Sequence, residues 1–340
     1  MQKRARLIYN PTSGQELMLK AVPEILEILE GFGYETSAFQ TKPEANSALE
    51  EAKRAALAGF DLIVVGGGDG TINEVVNGIA PLDKRPALAI IPAGTTNDYA
   101  RALKIPRGNP VAAAKLIGKN QVLQMDIGRA YGERYFINIA AAGSLTEVTY
   151  AVPSQLKTMF GYLAYLVKGV ELLPQLTMIP LRIEHDEGVF EGEVSLIFAA
   201  LTNSVGGFEQ LAPDAQLDDG FFTLILIKTA NLLEILDLIR LVLNGGKHIE
   251  DKRVVYIKTR TITIHPTSDQ RMMINLDGEY GGDAPIKLEN LNKHITFFVN
   301  TDDIADEAMA ASPAELECLA MAQKFSHEVD DWEKRAPKQE

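Results

Sequence analysis

Over the first 120 residues, short apolar runs alternate with stretches whose apolar positions recur every three or four residues, as buried strands alternate with helices lying on a core. The first run is residues 7–9. Beyond Asn10-Pro11-Thr12-Ser13-Gly14, the residues Leu17, Val22, Ile25, Leu26 and Leu29 fall near helical spacing, and Gly31 and Gly33 close that helix. Residues 34–39 predict a second strand, and residues 45–57, rich in Ala, Glu, Leu and Lys, a second helix. Residues 62–65 and 87–91 are continuous apolar runs, the pattern of parallel strands buried on both faces. This βαβαβ order predicts a doubly wound α/β domain over residues 1–120, whose ligand site lies beyond the carboxyl ends of the strands. Three polar, glycine-bearing loops fall there: 10–14, 66–71 and 94–97.

From residue 121 the rhythm changes. Strand-like segments predominate at 122–127, 135–140, 181–184, 194–202, 221–227, 253–257, 261–265, 272–276 and 294–299, with helical patterns at 156–173 and 232–243. These predict a mostly antiparallel, β-rich second domain over 121–300, with the active site in the cleft between the two domains. The last strand or two are expected to return to the first domain. Residues 301–340 read as a polar helix or partly disordered tail, placed to pack back on the N-terminal domain. No internal repeat is present.

Composition narrows the function. With 46% hydrophobic and 23% charged residues the chain is an ordinary globular one. Its longest apolar runs, 159–167 and 221–227, are too short to span a bilayer. The basic start, Met1-Gln2-Lys3-Arg4-Ala5-Arg6, runs into a strand rather than the apolar core of a secretory signal, so a cytoplasmic location is expected. The single cysteine, Cys318, excludes an intramolecular disulfide and has no base partner nearby. A net charge of −13 argues against broad nucleic-acid binding. That charge is uneven: residues 301–340 hold 11 acids and 4 bases, leaving −6 for the first 300 residues and room for a local basic face.

The candidate chemistry begins at Val64-Val65-Gly66-Gly67-Gly68-Asp69-Gly70-Thr71-Ile72-Asn73-Glu74, where a buried strand runs into three glycines and then a helix. Glycines let a backbone approach a ligand closely, and a helix N-terminus suits phosphate oxygens. Neither a Walker A loop nor a dinucleotide G-x-G-x-x-G fingerprint is present. Ser13, Thr71 and Thr95 add hydroxyls, and Asp69, Asp98, Asp126, Asp219 and Asp277 lie at strand ends and loops. Phosphoryl transfer needs a metal to screen phosphate charge and a base for the acceptor proton, and magnesium prefers such hard oxygen ligands. Each acid also has a plainer reading. Glu74 and Asp98 suit helix starts, Asp126 a turn, and Asp218-Asp219-Gly220 and Asp277-Gly278 hairpins. The five histidines show no metal-ligand spacing.

Gly67-Gly68-Asp69-Gly70-Thr71 with Asn73-Glu74 resembles a signature shared by diacylglycerol, sphingosine and, more distantly, NAD kinases. Four further motifs bring the resemblance closer to the soluble bacterial diacylglycerol kinases: Tyr9-Asn10-Pro11-Thr12-Ser13-Gly14, Pro92-Ala93-Gly94-Thr95-Thr96-Asn97-Asp98, Ala212-Pro213-Asp214-Ala215-Gln216-Leu217-Asp218-Asp219-Gly220 and Asn275-Leu276-Asp277-Gly278-Glu279-Tyr280. Met125-Asp126-Ile127-Gly128 belongs to the same set. The resemblance implies ATP held by Asn10, Pro11, Thr12, Ser13, Gly14, Thr41, Gly67, Gly68, Asp69, Gly70, Thr71, Asn73, Glu74 and Thr95. It implies a structural magnesium site made of the Asp219 side chain and the carbonyls of Gln216 and Phe221. Asp69, Asp98 and Asp126 are then candidates for the magnesium of the reaction.

By the same resemblance Asp277 is the general base, with Glu279 the alternative, and the product from diacylglycerol is phosphatidic acid. A homodimer with reversible contact to the inner face of the cell membrane is also implied. Where many related kinases carry Lys, this chain has Gln15. Residues 150–173, aromatic and flanked by lysines, suit either a lipid surface or a core helix. Alternative acceptors are a sphingoid base, another lipid alcohol or NAD, and a non-enzymatic nucleotide-binding protein is the remaining alternative.

Overall fold

In the computed structural model, residues 2–14, 17–94, 97–143, 176–203, 210–268 and 271–302 are described. The expected helix at 156–173, the tail beyond residue 302, Thr95 and Gln15 lie outside them. The chain opens β1 (Lys3–Tyr9), α1 (Leu17–Gly31), β2 (Tyr34–Gln40), α2 (Ser47–Leu57), β3 (Leu62–Gly67), α3 (Asp69–Ile79) and β4 (Ala87–Pro92). Every residue of β3 is buried, as its unbroken apolar run predicts. β1 pairs in parallel with β2 and β3, and β3 with β4. Two short helices follow, α4 (Asp98–Ala102) and α5 (Pro110–Leu116), the second capped by Asn109.

The β-rich part comprises β5 (Val122–Ala130), β6 (Arg134–Phe136), β7 (Ile139–Gly143), β8 (Ile179–His185), β9 (Gly188–Val194), β10 (Leu196–Ala200) and β11 (Phe222–Ile227). After α6 (Leu232–Leu243) come β12 (Val254–Thr259), β13 (Thr261–Pro266), β14 (Met273–Leu276), β15 (Glu279–Asp283) and β16 (Ile286–Phe298). Six strands form a wholly antiparallel sheet ordered β12-β11-β10-β7-β14-β15. The other sheet runs β2-β1-β3-β4-β16-β13-β8-β9, with β5 paired to β16 and β6. Thus β16 serves both parts. Near its start it lies antiparallel to β13, and at Phe297 it pairs in parallel with Leu88 of β4. The expected return of the last strand is observed.

Three apolar cores hold this together. One lies between α1–α3 and the parallel strands and reaches into β5, β6 and the end of β16. A second fills a sandwich, with Ile262, Ile264, Leu181 and Leu288 facing Ala140, Ile197, Leu224 and Ile274. The third packs Ile235, Leu236 and Leu238 of α6 on Ala200 and Ile225. Each fully buried aliphatic side chain contributes about 1.5–3 kcal/mol from burial.

Residues 135–140, expected as one strand, are split. β6 pairs with β5 in the larger sheet, whereas β7 pairs with β10 and β14 in the smaller one. The backbone leaves the ladder at Ile137 and Asn138, whose N–H groups, with that of Ile139 at the start of β7, meet a carboxylate described next. β9 was not expected as a separate strand. It is an edge strand with mostly exposed side chains, so no apolar alternation marks it.

Candidate active site

The three glycine-bearing loops meet at the carboxyl ends of β1, β3 and β4. Asn10 N–H donates to the Gly66 carbonyl at 2.8 Å, and Ala93 N–H to the Gly67 carbonyl at 2.9 Å, zipping the loops side by side. The Asn10 side chain accepts from Thr12 N–H (3.0 Å) and its hydroxyl (2.9 Å), which closes the first turn. Gly14 takes φ +60°, and a Cβ there would lie 2.8 Å from the Ala93 carbonyl oxygen. Thr41 is tied to the end of β1 through its N–H on the Tyr9 carbonyl, 2.9 Å.

Gly68 forms the N-terminus of α3 in extended conformation, with no side-chain cap. Asp69 is the first helical residue. An uncapped start of this kind offers main-chain N–H groups and a positive dipole end to phosphate oxygens. The adjacent 94–97 loop is shaped by Asn97, whose side chain accepts from Gly94 N–H and donates to the Gly94 carbonyl, both at 2.7 Å. Asn97 stands at φ +50° immediately before Asp98, the first residue of α4. Asp69 and Asp98 therefore each open a helix on loops that touch.

Across this floor lies the hairpin of β14 and β15. Asp277, at its tip with φ +51°, turns its carboxylate back into the protein. Oδ2 accepts from Ile137 N–H (2.7 Å) and from Asn73 Nδ2 of α3 (3.0 Å). Oδ1 accepts from the N–H groups of Asn138 and Ile139, both at 2.9 Å. Three consecutive amides thus make a nest for the carboxylate. Burial pushes the Asp277 carboxyl above its ordinary value, against the pull of these hydrogen bonds. Helix α3 and the hairpin are thereby joined by a bond between residues 204 positions apart. Glu279, at the start of β15, is exposed two residues beyond.

Asp126 is only 2% exposed and ties the 216–221 loop to the sheet. It accepts from Gly220 N–H at 2.6 Å, Asn292 Nδ2 at 2.9 Å and Lys293 N–H at 2.7 Å. Its own N–H donates to the Leu217 carbonyl at 2.8 Å. Burial raises its pKa, opposed by these donors. With its oxygens so occupied, Asp126 acts as a latch for the loop that carries Asp219. The Asp219 carboxylate caps Phe221 N–H at 2.9 Å and lies 3.5 Å from Lys258 Nζ, which also donates to the Asp214 carbonyl at 2.9 Å. Glu74 turns away from the loops and caps α2, accepting from Ala48 N–H at 2.9 Å.

Among the described residues, no group of three or more His, Cys, Asp or Glu could hold a metal ion. Asp69 and Asp98, at the starts of α3 and α4, are the carboxylates there that could hold a divalent cation. Asn77 and Asn97 shape the site without having been expected in it. Asn97 was visible as the next-to-last residue of a motif, and Asn77 as an Asn four residues after Asn73, on the same helix face.

Comparison with known proteins agrees with this geometry. Residues 4–130 match the family model described as "Diacylglycerol kinase catalytic domain", and residues 139–299 one described as "YegS C-terminal NAD kinase beta sandwich-like domain". A diacylglycerol kinase of Bacillus subtilis (strain 168) is 52% identical over 293 residues, covering 86% of this chain and 95% of the relative. A diacylglycerol kinase of Staphylococcus aureus (strain Newman) is 47% identical over 307 residues, covering 90% and 96%. A crystal structure of a diacylglycerol kinase from Bacillus anthracis str. Sterne superposes with a TM-score of 0.69 at 26% identity, covering 88% of this chain and 98% of that one. With both halves of the molecule matched and the relatives covered almost from end to end, the chain belongs to the diacylglycerol kinase family.

Proposed function

We propose that this chain transfers the γ-phosphoryl group of ATP to the free hydroxyl of diacylglycerol, giving phosphatidic acid and ADP. The observation that carries the mechanism is the Asn73–Asp277 bond, which sets the phosphate loop and the 277–279 hairpin face to face. In this reading residues 1–120 hold the nucleotide and residues 121–300 the lipid. The loops 10–14, 67–71 and 94–97, with Thr41, cradle the phosphates through main-chain N–H groups and hydroxyls.

The acceptor oxygen bonds to the γ-phosphorus as the bond from that phosphorus to the β–γ bridging oxygen breaks. ADP leaves with that electron pair, and the hydroxyl proton passes to a carboxylate. Both oxygens of Asp277 already accept two N–H donors each, so a proton could settle there only by displacing one of them. Glu279, exposed on the same hairpin, is the better acceptor, with Asp277 holding it in register. Bound magnesium would screen the phosphate charge, held by Asp69 and Asp98 together with the nucleotide. The 216–221 turn offers a second cation the Asp219 carboxylate and the carbonyls of Gln216 and Phe221, a hard-oxygen set suited to magnesium. The same reading has the protein meet its lipid at the inner face of the membrane as a homodimer, which rests on family membership. No described helix is long and apolar enough to cross a membrane.

The test is incubation of purified protein with labelled ATP, magnesium and a panel of diacylglycerol, sphingosine, undecaprenol and NAD. Label is expected in phosphatidic acid. Label in NAD alone, or ATP bound with none transferred, would overturn the proposal.

A further inference from the structure

One helical turn beyond Asn73, Asn77 makes a contact that no motif announces. Its Oδ1 accepts from Tyr135 N–H at 2.9 Å, and its Nδ2 donates to the Tyr135 carbonyl at 2.9 Å. The side-chain amide therefore pairs with the β6 backbone as another strand would, from a helix of the nucleotide half. Main-chain groups cannot exchange roles: an N–H donates and a C=O accepts. This pairing fixes which end of the Asn77 amide is which.

The consequence passes to Asn73. Asn77 Nδ2 also lies 2.9 Å from the Asn73 carbonyl and 3.0 Å from Asn73 Oδ1. Asn73 must present its oxygen to that donor, which leaves its own Nδ2 for Asp277 Oδ2 at 3.0 Å. Were the Asn73 amide turned over, its oxygen would face a carboxylate oxygen and its NH₂ the NH₂ of Asn77. Both contacts would be repulsive, so the order Tyr135, Asn77, Asn73, Asp277 has a single consistent assignment.

We propose that Asn77 is a positioning residue for phosphoryl transfer: it holds the Asn73 amide in the one orientation that bonds Asp277, and so sets the 277–279 hairpin against the phosphate loop. The inference deepens the kinase reading and rests on it. Asn77 touches neither nucleotide nor lipid in this account. It acts through Asn73.

Asn77→Asp keeps the size and the acceptor for Tyr135 N–H but puts an acceptor where the Asn73 side chain, and the Tyr135 and Asn73 carbonyls, need a donor. The variant, Asn73→Ala and the double variant are compared with the wild type on diacylglycerol and ATP. Asn77→Asp is expected to lower kcat by about 10–100-fold, the scale of a small misplacement of reacting groups, with KM for ATP within about threefold. In the Asn73→Ala background the same change should cost no further kcat, because the relay is already cut.

Hydrogen exchange supplies a readout independent of turnover. The amides of Ile137, Asn138 and Ile139 should exchange faster in Asn77→Asp than in wild type as their carboxylate loosens. A wild-type kcat in Asn77→Asp, losses that multiply in the double variant, or unchanged exchange at 137–139 would each overturn the proposal. So would a parallel loss of ATP binding and melting temperature in both Asn77→Asp and the milder Asn77→Ser, which would assign Asn77 to folding alone. A wild type that transfers no label fails the kinase reading instead, and the exchange result still decides whether the relay exists.

Discussion

Gly94 stands so close to Gly68 that a Cβ added at Gly94 would lie 2.6 Å from the Gly68 Cα. The two glycine-bearing loops thus touch backbone to backbone, and neither can yield without moving the other. Gly94→Ala should cost about 1–3 kcal/mol of stability from overpacking. Its larger effect should be on ATP, with KM raised at least about tenfold, a shift worth some 1.4 kcal/mol. Calorimetric ATP titration beside a thermal melt checks both, and unchanged ATP affinity would deny this contact a role in the site.

Asp277 and Glu279 are expected to fail in different ways. Asp277→Asn replaces an acceptor of four N–H donors by an amide with a single oxygen, leaving buried donors without partners at about 1–3 kcal/mol each. It should lower the melting temperature and kcat together. Glu279→Gln should leave the melting temperature within a degree or two of wild type while abolishing most turnover, typically 10²–10⁴-fold for a lost general base. A Glu279→Gln enzyme with near-normal kcat would return the proton to Asp277.

Asn97→Ala should weaken ATP binding through the shape of its loop. The substitution removes both 2.7 Å bonds to Gly94 and leaves a residue with a Cβ at φ +50°. Asn97→Gly, which tolerates that backbone, should retain more stability than Asn97→Ala by about 1–2 kcal/mol, while both lose the clamp. Equal melting temperatures for the two variants would count against backbone strain at this position.

Acid stability has a marker remote from the site. Asp251 accepts from Arg253 N–H at 2.9 Å, Nε at 2.8 Å and Nη2 at 2.6 Å, which holds its carboxyl down from 3.8 to about 2. A depressed carboxylate stabilises the folded state above its ordinary value and loses that contribution as pH falls toward the folded-state value. Asp251→Asn should therefore melt below wild type at neutral pH by about 1 kcal/mol, allowing for solvent screening. The difference should close as pH drops from 3.8 to about 2. A gap that persists at pH 2 would show that charge is not its origin.

Much of this was legible in the chain because burial leaves a compositional mark. β3 reads as a run of apolar residues since both its faces are covered, and the loop after it is marked by glycines that no ordinary turn requires. The split of residues 135–140 was not legible, because the break at Ile137 and Asn138 is made by main-chain N–H groups turned to a carboxylate, and main-chain groups have no letter in a sequence. Glu74 shows a related limit. A carboxylate near a helix start reads the same whether it serves its own helix or, as here, caps the neighbouring one. The relay through Asn77 needed the position of β6, which lies 58 residues further along the chain.

Consider finally the strand β16, whose residue Phe297 sits beside both Leu88 and Leu123. During synthesis the ribosome delivers the parallel strands first, yet a central slot of their sheet stays empty until nearly three hundred residues have emerged. A gene fragment ending near residue 130 would encode all three glycine-bearing loops and still yield a sheet with two unmated edges in its middle, prone to pairing with other chains. The sheet that carries the glycine-bearing loops is thus completed only by the far end of the chain.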